Sequence, residues 1–173
     1  MTCAVPEDRG MVVLTEAMIR MVREQRLAYV ACVSPEGFPR VSPKGSLRVW
    51  DESHLVFADI DSAKTVENLL RDPRTEVNVV DPFLRKGFRF SGNATVFNES
   101  DLFSQVLERY KAEGADIRRV RWVVLIDVTS ASPLTSPIYG AGFTEEEVRG
   151  LWEEYHAKST RKIVLDLVPP IEF

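Results

Sequence analysis

The run Arg40-Val41-Ser42-Pro43-Lys44-Gly45-Ser46-Leu47-Arg48 carries cations and hydroxyls at every second position. In an extended chain this alternation puts Arg40, Ser42, Lys44, Ser46 and Arg48 on one face and Val41, Leu47 and Val49 on the other. Half of that stripe is cationic and the rest is hydroxylic. Pro43 removes a ladder donor and Gly45 lets another backbone come close, so the strand is expected to bulge where the stripe is densest. A second segment, Asp59-Ile60-Asp61-Ser62-Ala63-Lys64-Thr65-Val66-Glu67-Asn68, reads as the entry to a helix. Ser62 is the expected N-cap. Lys64 and Thr65 fall in the first turn, where unpaired N–H groups and the positive end of the helix dipole favour an anion. A phosphate held there would receive amides, a hydroxyl and an ammonium together, with Asn68 one turn further on. Asp59 and Asp61 oppose such a site unless they point away. Each segment also has an ordinary reading, the first as a solvated edge strand and the second as a capped surface helix.

Other chemistry has little support. His54 and His156 have no partner at metal-ligand spacing, so no metal site is expected. No GxSxG, P-loop or GxGxxG pattern occurs, and no catalytic side chain is nominated. Cys3 and Cys32 lie far apart without CxxC spacing and read as two reduced thiols, Cys32 serving packing.

The elements that position these residues follow from periodicity. Thr15 to Arg26 reads as a capped helix, Leu27 to Val33 as a buried strand, and Ser34 to Gly37 as a turn. Phe38 to Trp50 and Leu55 to Ala58 are extended, and with the preceding strand they are expected to form a three-stranded meander. Ser62 to Arg71 is a short helix, Thr75 to Val80 and Gly87 to Phe97 are strands, and Asp101 to Ala112 is an amphipathic helix presenting Leu102, Phe103, Val106, Leu107 and Tyr110. Val120 to Val128 is the last strand. A Ser/Pro/Thr loop from Ser130 to Tyr139 follows, then a capping box at Thr144 and Glu147 that opens a helix with Val148, Leu151, Trp152 and Tyr155 on one side. Six strands joined by hairpins and short helices favour a mainly β (α+β) fold, a closed six-stranded antiparallel barrel with peripheral helices, over a parallel sheet.

The chain has 173 residues, 45% hydrophobic and 28% charged, enough for one domain that needs no disulfide or metal staple. With 22 Lys and Arg against 26 Asp and Glu the net charge is −4, which does not suit a nucleic-acid binder. No apolar run reaches the ~20 residues of a membrane span, and MTCAVPEDRG lacks the apolar core of a signal peptide. A cytoplasmic protein is the expectation.

Taken together, Arg40-x-Ser42-Pro43-Lys44-Gly45, then Ser62-x-Lys64-Thr65-x-x-Asn68-Leu69, Arg71-Asp72-Pro73-Arg74 and Gly87-Phe88-Arg89-Phe90-Ser91-Gly92 resemble the pyridoxamine 5′-phosphate oxidase-like family of FMN-binding split barrels. The likeness is greatest to its small FMN-binding and flavin-reductase-like members, and it spans residues 11 to 130. What it implies is a homodimer with FMN at the interface, and either an FMN-dependent oxidoreductase of unknown substrate or a non-enzymatic electron carrier or cofactor store. A nicotinamide or other small-molecule electron donor would fit an oxidoreductase. By the same resemblance the strand of Val41, Ser42, Pro43, Lys44, Gly45 and Ser46 would run under the isoalloxazine and hydrogen-bond its heteroatoms, with Arg40 also among the cofactor-binding residues. Lys64 and Thr65 would hold the phosphate with Ser62 and Asn68 in support, and Ala58, Phe88 and Trp122 would form an apolar wall. Relatives of the fold also bind a deazaflavin or haem. The histidines are poorly placed as haem ligands, whereas a deazaflavin stays open. The oxidase itself carries a C-terminal Arg/Pro/Trp substrate motif, which the ending Val168-Pro169-Pro170-Ile171-Glu172-Phe173 does not show, so oxidation of pyridoxamine phosphate is not expected. The domain plan is an extension over residues 1–14, the barrel over 15–130, and a C-terminal loop and helix over 131–173 that pack on the barrel end or across a dimer partner.

Overall fold

The computed structural model describes residues 13–60 and 63–167. Expectations placed on Cys3, Asp61, Ser62 and the last six residues fall outside that range. Helix α1 (Glu16–Gln25) begins at Thr15, whose hydroxyl accepts the Met18 N–H, and ends at Arg26, which takes a left-handed conformation with φ 48°. Strand β1 (Ala28–Val33) turns through Ser34–Gly37 into β2 (Pro39–Lys44). After three residues come β3 (Arg48–Val49) and β4 (His54–Asp59), then α2 (Ala63–Arg71), β5 (Arg74–Asp81), β6 (Lys86–Phe97), α3 (Asp101–Ala112), β7 (Trp122–Thr135) and α4 (Glu145–Leu167).

All seven strands form one antiparallel sheet in the order β2-β1-β5-β6-β7-β4-β3. The first and last strands of that order are consecutive in the chain, separated only by Gly45, Ser46 and Leu47. Four Cα–Cα steps reach at most about 14 Å, so the two sheet edges must curl toward each other. This curling makes the split barrel, with seven strand segments where six were expected. The predicted meander does not form: β2 pairs with β1 and β3 with β4, at opposite ends of the sheet. One extended run is shared between two edges, a division that no local pattern in the sequence announces.

The barrel interior is filled by Val30, Leu47, Leu55, Phe57, Val77, Val79, Phe90 and Ile126. A second cluster, Val56, Ala58, Val106, Tyr110 and Val123, packs α3 against the outside of β4 and β7. Strand β4 is therefore buried on both faces, which is why Leu55-Val56-Phe57-Ala58 reads as an unbroken apolar run. Strand β6 carries two glycines at close crossings. A Cβ on Gly87 would lie 2.0 Å from the Val79 carbonyl oxygen, and one on Gly92 would lie 2.2 Å from that of Asp127. Gly92 sits at the register shift that lets β6 follow the curl.

Strand β7 continues to Thr135, through what was expected to be loop and past the anticipated barrel end at residue 130. Its second half pairs with the first half of β6, Pro133 lying opposite Phe88. β4 pairs with β7 only as far as Asp127, so the missing Pro133 N–H falls on the strand's other, unpaired side, where a sheet tolerates proline. The segment beyond rests on the protein's own β5–β6 hairpin. The Tyr139 hydroxyl donates to the Leu84 carbonyl at 2.6 Å, Lys86 meets Glu145 at 2.8 Å, and Arg149 meets Asp81 at 3.2 Å. The Thr144–Glu147 capping box forms as read: the Thr144 N–H donates to Glu147 and the Glu147 N–H to the Thr144 hydroxyl. The stripe predicted for α4 is buried only at Val148. Trp152 lies under the Arg85 guanidinium, and Leu151 and Tyr155 are exposed.

Because both crossings on β6 meet backbone rather than a movable side chain, Gly87→Ala and Gly92→Ala are each expected to cost about 1–3 kcal/mol or more. Gly140→Ala, with nothing within 4 Å of the added methyl, is expected to stay within about 0.5 kcal/mol of wild type. Urea unfolding of the three variants measures the difference.

Candidate functional site

Strand β2 links two hollows, one near each of its ends. The first, about 420 Å³, lies at the start of α2 and is lined by Arg40, Lys64, Thr65, Asn68 and Arg71 together with Glu36 and Glu67. Four of the residues nominated from sequence thus converge, although Arg40 stands 24 positions from Lys64. Lys64, Asn68 and Arg71 recur at helical spacing along one face of α2, and the α2 N-terminus supplies backbone N–H groups that the helix itself cannot pair. The Thr65 hydroxyl is buried and shares a hydrogen bond of 3.2 Å with the Ser42 hydroxyl, which pins the first turn of α2 to β2. Asn68 directs its amide nitrogen to Cys32 Sγ at 3.3 Å, so it stiffens the wall of the cleft. Arg71, not nominated as a site residue, donates to the Val33 carbonyl at 2.7 Å. Glu36 on the rim is held below its usual carboxylate range by a hydrogen bond from Ser34, with smaller help from Arg40 and Arg71. Three cations against two carboxylates leave this cleft net positive among the described lining residues.

The second hollow, about 390 Å³, is lined by Pro43, Lys44, Gly45, Ser46, Ala58 and Asp59, with Arg48 and Tyr110 at its margin. Here the structure corrects the predicted stripe. Lys44 is buried with 4% of its surface exposed, and its ammonium lies 3.7 Å from the equally buried Asp59 carboxylate. Burial pushes the Lys44 ammonium below its ordinary range, and the charge of Asp59 offsets part of that shift. Val41, expected to share an apolar face with Leu47 and Val49, is 63% exposed, whereas those two are buried. The Gly45–Ser46 turn shifts the alternation by one residue, so Ser42 and Lys44 turn inward before it and Leu47 and Val49 after it.

That turn is the expected interruption, and side chains make good what the ladder loses there. The Ser46 hydroxyl donates to the Ala58 carbonyl at 2.8 Å and accepts the Ala58 N–H at 3.2 Å, standing in for a backbone partner. Tyr110 of α3 donates its hydroxyl to the Ser46 carbonyl, and burial pushes the pKa of that hydroxyl well above the ordinary phenol range. Arg48 is held by Glu113 at 2.8 Å and donates to the Leu47 carbonyl at 2.9 Å. Neither Tyr110 nor Glu113 could be found from local sequence, since Tyr110 reaches the site from α3 and Glu113 from the cap at its C-terminal end.

The expected apolar wall assembles only in part. Ala58 lines the second hollow, and Trp122 stands opposite Asp59 in the β4–β7 register. Phe88 packs against the barrel core and lines a different hollow, with Asp81 and Arg149. Val41 faces outward and lines neither hollow of β2. His54 is bound to Asp51 at 2.8 Å, and His156 packs against Phe83 with ring centroids 5.4 Å apart. Among the described residues no group of three or more His, Cys, Asp or Glu converges to hold a metal, and no helix is long and apolar enough to cross a membrane.

Residues 14–131 match the family model described as pyridoxamine 5′-phosphate oxidase. No curated protein matches the chain. Among solved structures, HupZ from Group A Streptococcus is 26% identical, covers 70% of this chain and 94% of its own, and superposes with a TM-score of 0.64. An FMN-binding protein from Syntrophomonas wolfei is 12% identical, with coverages of 71% and 87% and a TM-score of 0.60. HutZ, the heme storage protein from Vibrio cholerae, is 17% identical, with coverages of 71% and 94% and a TM-score of 0.57. The last two likenesses are likenesses of fold.

The Tyr110 hydroxyl spans from α3 to the turn that opens the second hollow, so Tyr110→Phe is expected to cost about 1–3 kcal/mol by leaving the Ser46 carbonyl without that donor. Tyr155→Phe, on the exposed face of α4, is the matched control and is expected to be neutral in the same urea titration.

Proposed function

The chain belongs to the pyridoxamine 5′-phosphate oxidase family, and on that premise we propose that it is a cytoplasmic FMN-binding oxidoreductase working as a homodimer. One observation carries the reading: a net-positive cleft at a helix N-terminus is joined by a single strand to a second, hydrogen-bonding hollow. Arg40 and Lys44 lie four residues apart on β2, or about 13 Å, a span suited to a phosphate at one end and a flat ring toward the other. Arg40, Lys64, Thr65 and the α2 amides would hold the phosphate, with Ser62 as the expected cap. Gly45, Ser46 and the backbone beside them would meet the ring edge, with Ala58 and Trp122 beside it. FMN, when bound, supplies hydride and single-electron transfer; this chain supplies orientation and access. Haem is disfavoured because His54 is engaged by Asp51 and His156 lies among the aromatic rings of α4 and the β5–β6 hairpin, away from both hollows.

A second copy of the chain is the proposed occupant of the outer face of β1 and β2. Tyr29, Phe38 and Val41 are 48%, 65% and 63% exposed, and the register places Tyr29 beside Pro43 and Val41 beside Ala31. Tyr29 and Val41 on one exposed face at this end of the sheet, with Phe38 in the turn that leads into β2, suit burial against a partner better than contact with water.

The purified protein is expected to be yellow and to release FMN on denaturation, identified by mass spectrometry. A released deazaflavin would redirect the reading within the fold, and a colourless protein that takes up no added FMN would overturn it. Reduction of the bound flavin by NADH or NADPH, followed by turnover with an acceptor, separates an oxidoreductase from a carrier or store. Lys64→Ala is expected to weaken FMN binding about 10- to 150-fold, the loss of about 1.5–3 kcal/mol from one charge-assisted bond. Lys158→Ala on α4 is expected to change nothing in the same titration. Val41→Asp is expected to turn a dimer into a monomer in sedimentation, and an unchanged dimer would argue against this face.

A further inference from the structure

The two hollows of β2 differ in charge, and the difference bears on what each accepts. In the α2 cleft Arg40, Lys64 and Arg71 outnumber the carboxylates. In the second hollow every cation among the described lining residues is matched by a carboxylate. Lys44 faces Asp59 at 3.7 Å with both side chains nearly inaccessible, at 4% and 3% exposed, and Arg48 is held by Glu113 at 2.8 Å while also donating to the Leu47 carbonyl. The remaining polar groups there are uncharged: the Ser46 hydroxyl, bonded to Ala58, and the Tyr110 hydroxyl, bonded to the Ser46 carbonyl.

We propose that this second hollow is a specificity filter: it accepts an uncharged, hydrogen-bonding molecule and rejects one that carries a phosphate. The inference rests on the proposed function, in which the flavin ring meets this hollow only by its edge at Gly45 and Ser46 and the substrate takes the Lys44, Asp59 and Arg48 side, and it names the substrate class of that site. A dianion entering beside Lys44 must draw the ammonium from Asp59, leaving that carboxylate buried, desolvated and close to a like charge. A dianion approaching Arg48 must compete with Glu113 and a backbone carbonyl. An uncharged ligand faces neither cost and can donate to the remaining lone pairs of the Ser46 and Tyr110 hydroxyls. The phosphate-binding function is then confined to the α2 cleft, where the cofactor takes it up, and the compound that exchanges electrons with the cofactor carries no phosphate at this end.

The test compares pyridoxine with pyridoxine 5′-phosphate as ligands of protein saturated with FMN, read by perturbation of flavin absorbance and fluorescence. Wild type is expected to bind the ester no more tightly than the free alcohol. Asp59→Asn, which removes the partner charge from Lys44, is expected to shift the preference toward the ester at least tenfold. Glu113→Gln, at the more exposed Arg48 pair, provides a second variant that does not disturb the buried one and is expected to shift the preference in the same direction. A wild-type preference for the ester of tenfold or more overturns the proposal. So does an Asp59→Asn or Glu113→Gln protein that folds, loads flavin and shows no gain for the ester. Flavin loading is measured first. A protein that takes up no FMN overturns the functional reading instead, and the two-ligand comparison is then made on flavin-free Lys64→Ala by tryptophan fluorescence, where the α2 cleft competes less for phosphate.

Discussion

One extended run, residues 39–49, belongs to both edges of the sheet, and the rest of the architecture follows from that constraint. Its first half extends the sheet beyond β1 and its second half extends it beyond β4. The seven strands therefore cannot lie open, and they coil until their ends are within reach of three connecting residues. Glycines at Gly87 and Gly92 let the longest hairpin follow that coil without colliding with its neighbours. Where the shared run breaks, at Gly45–Ser46, the ladder is missing, and the side chains of Ser46 and Tyr110 occupy the gap. A hollow appears at the place where regular pairing stops.

The electrostatics of the two hollows have one origin. β2 leaves the Ser34–Gly37 turn with Arg40 exposed beside the α2 N-terminus and reaches Lys44 only after the strand has entered the packed wall of the barrel. A cation at the outer end stays solvated and accessible to an anion. A cation at the inner end survives burial because a carboxylate accompanies it. The same residue class on the same strand face thus serves opposite ends, and the depth of each position decides which.

Features set by neighbours in the sequence were legible before the fold was known. α1 with Thr15 as cap, α2 and α3 by their apolar spacing, and the Thr144–Glu147 box appear where the local sequence puts them. The cleft residues Arg40, Lys64, Thr65 and Asn68 were also legible, partly from a helix start and partly from a resemblance. What escaped was set by partners distant in the chain. The inward turn of Lys44 depends on Asp59, the exposure of Val41 on a shift of alternation at a turn, and the stability of that turn on Tyr110, 64 residues away. β7 past Val128 was hidden by a Ser/Pro/Thr composition typical of loops, yet pairing with β6 holds it as strand. Phe88 was nominated through the resemblance alone, and within one copy of the chain it lies against the barrel core, away from both hollows of β2.

The shared strand also orders events in time. Ala28 pairs with Val79 and His54 with Asp127, so the sheet is built mainly from residues far apart in the chain, and topologies of this kind fold over roughly milliseconds to seconds rather than microseconds. Each half of residues 39–49 can join its own hairpin early, since β1–β2 and β3–β4 are local pairs. The loop between them comes under tension only once β5, β6 and β7 have bridged the two hairpins. On this topology the hollow at Gly45–Ser46 is complete only when the long-range pairs of β1 with β5, β4 with β7 and β6 with β7 are in place. A ligand seated there would act as a latch on the completed barrel, slowing its unfolding without hastening its formation.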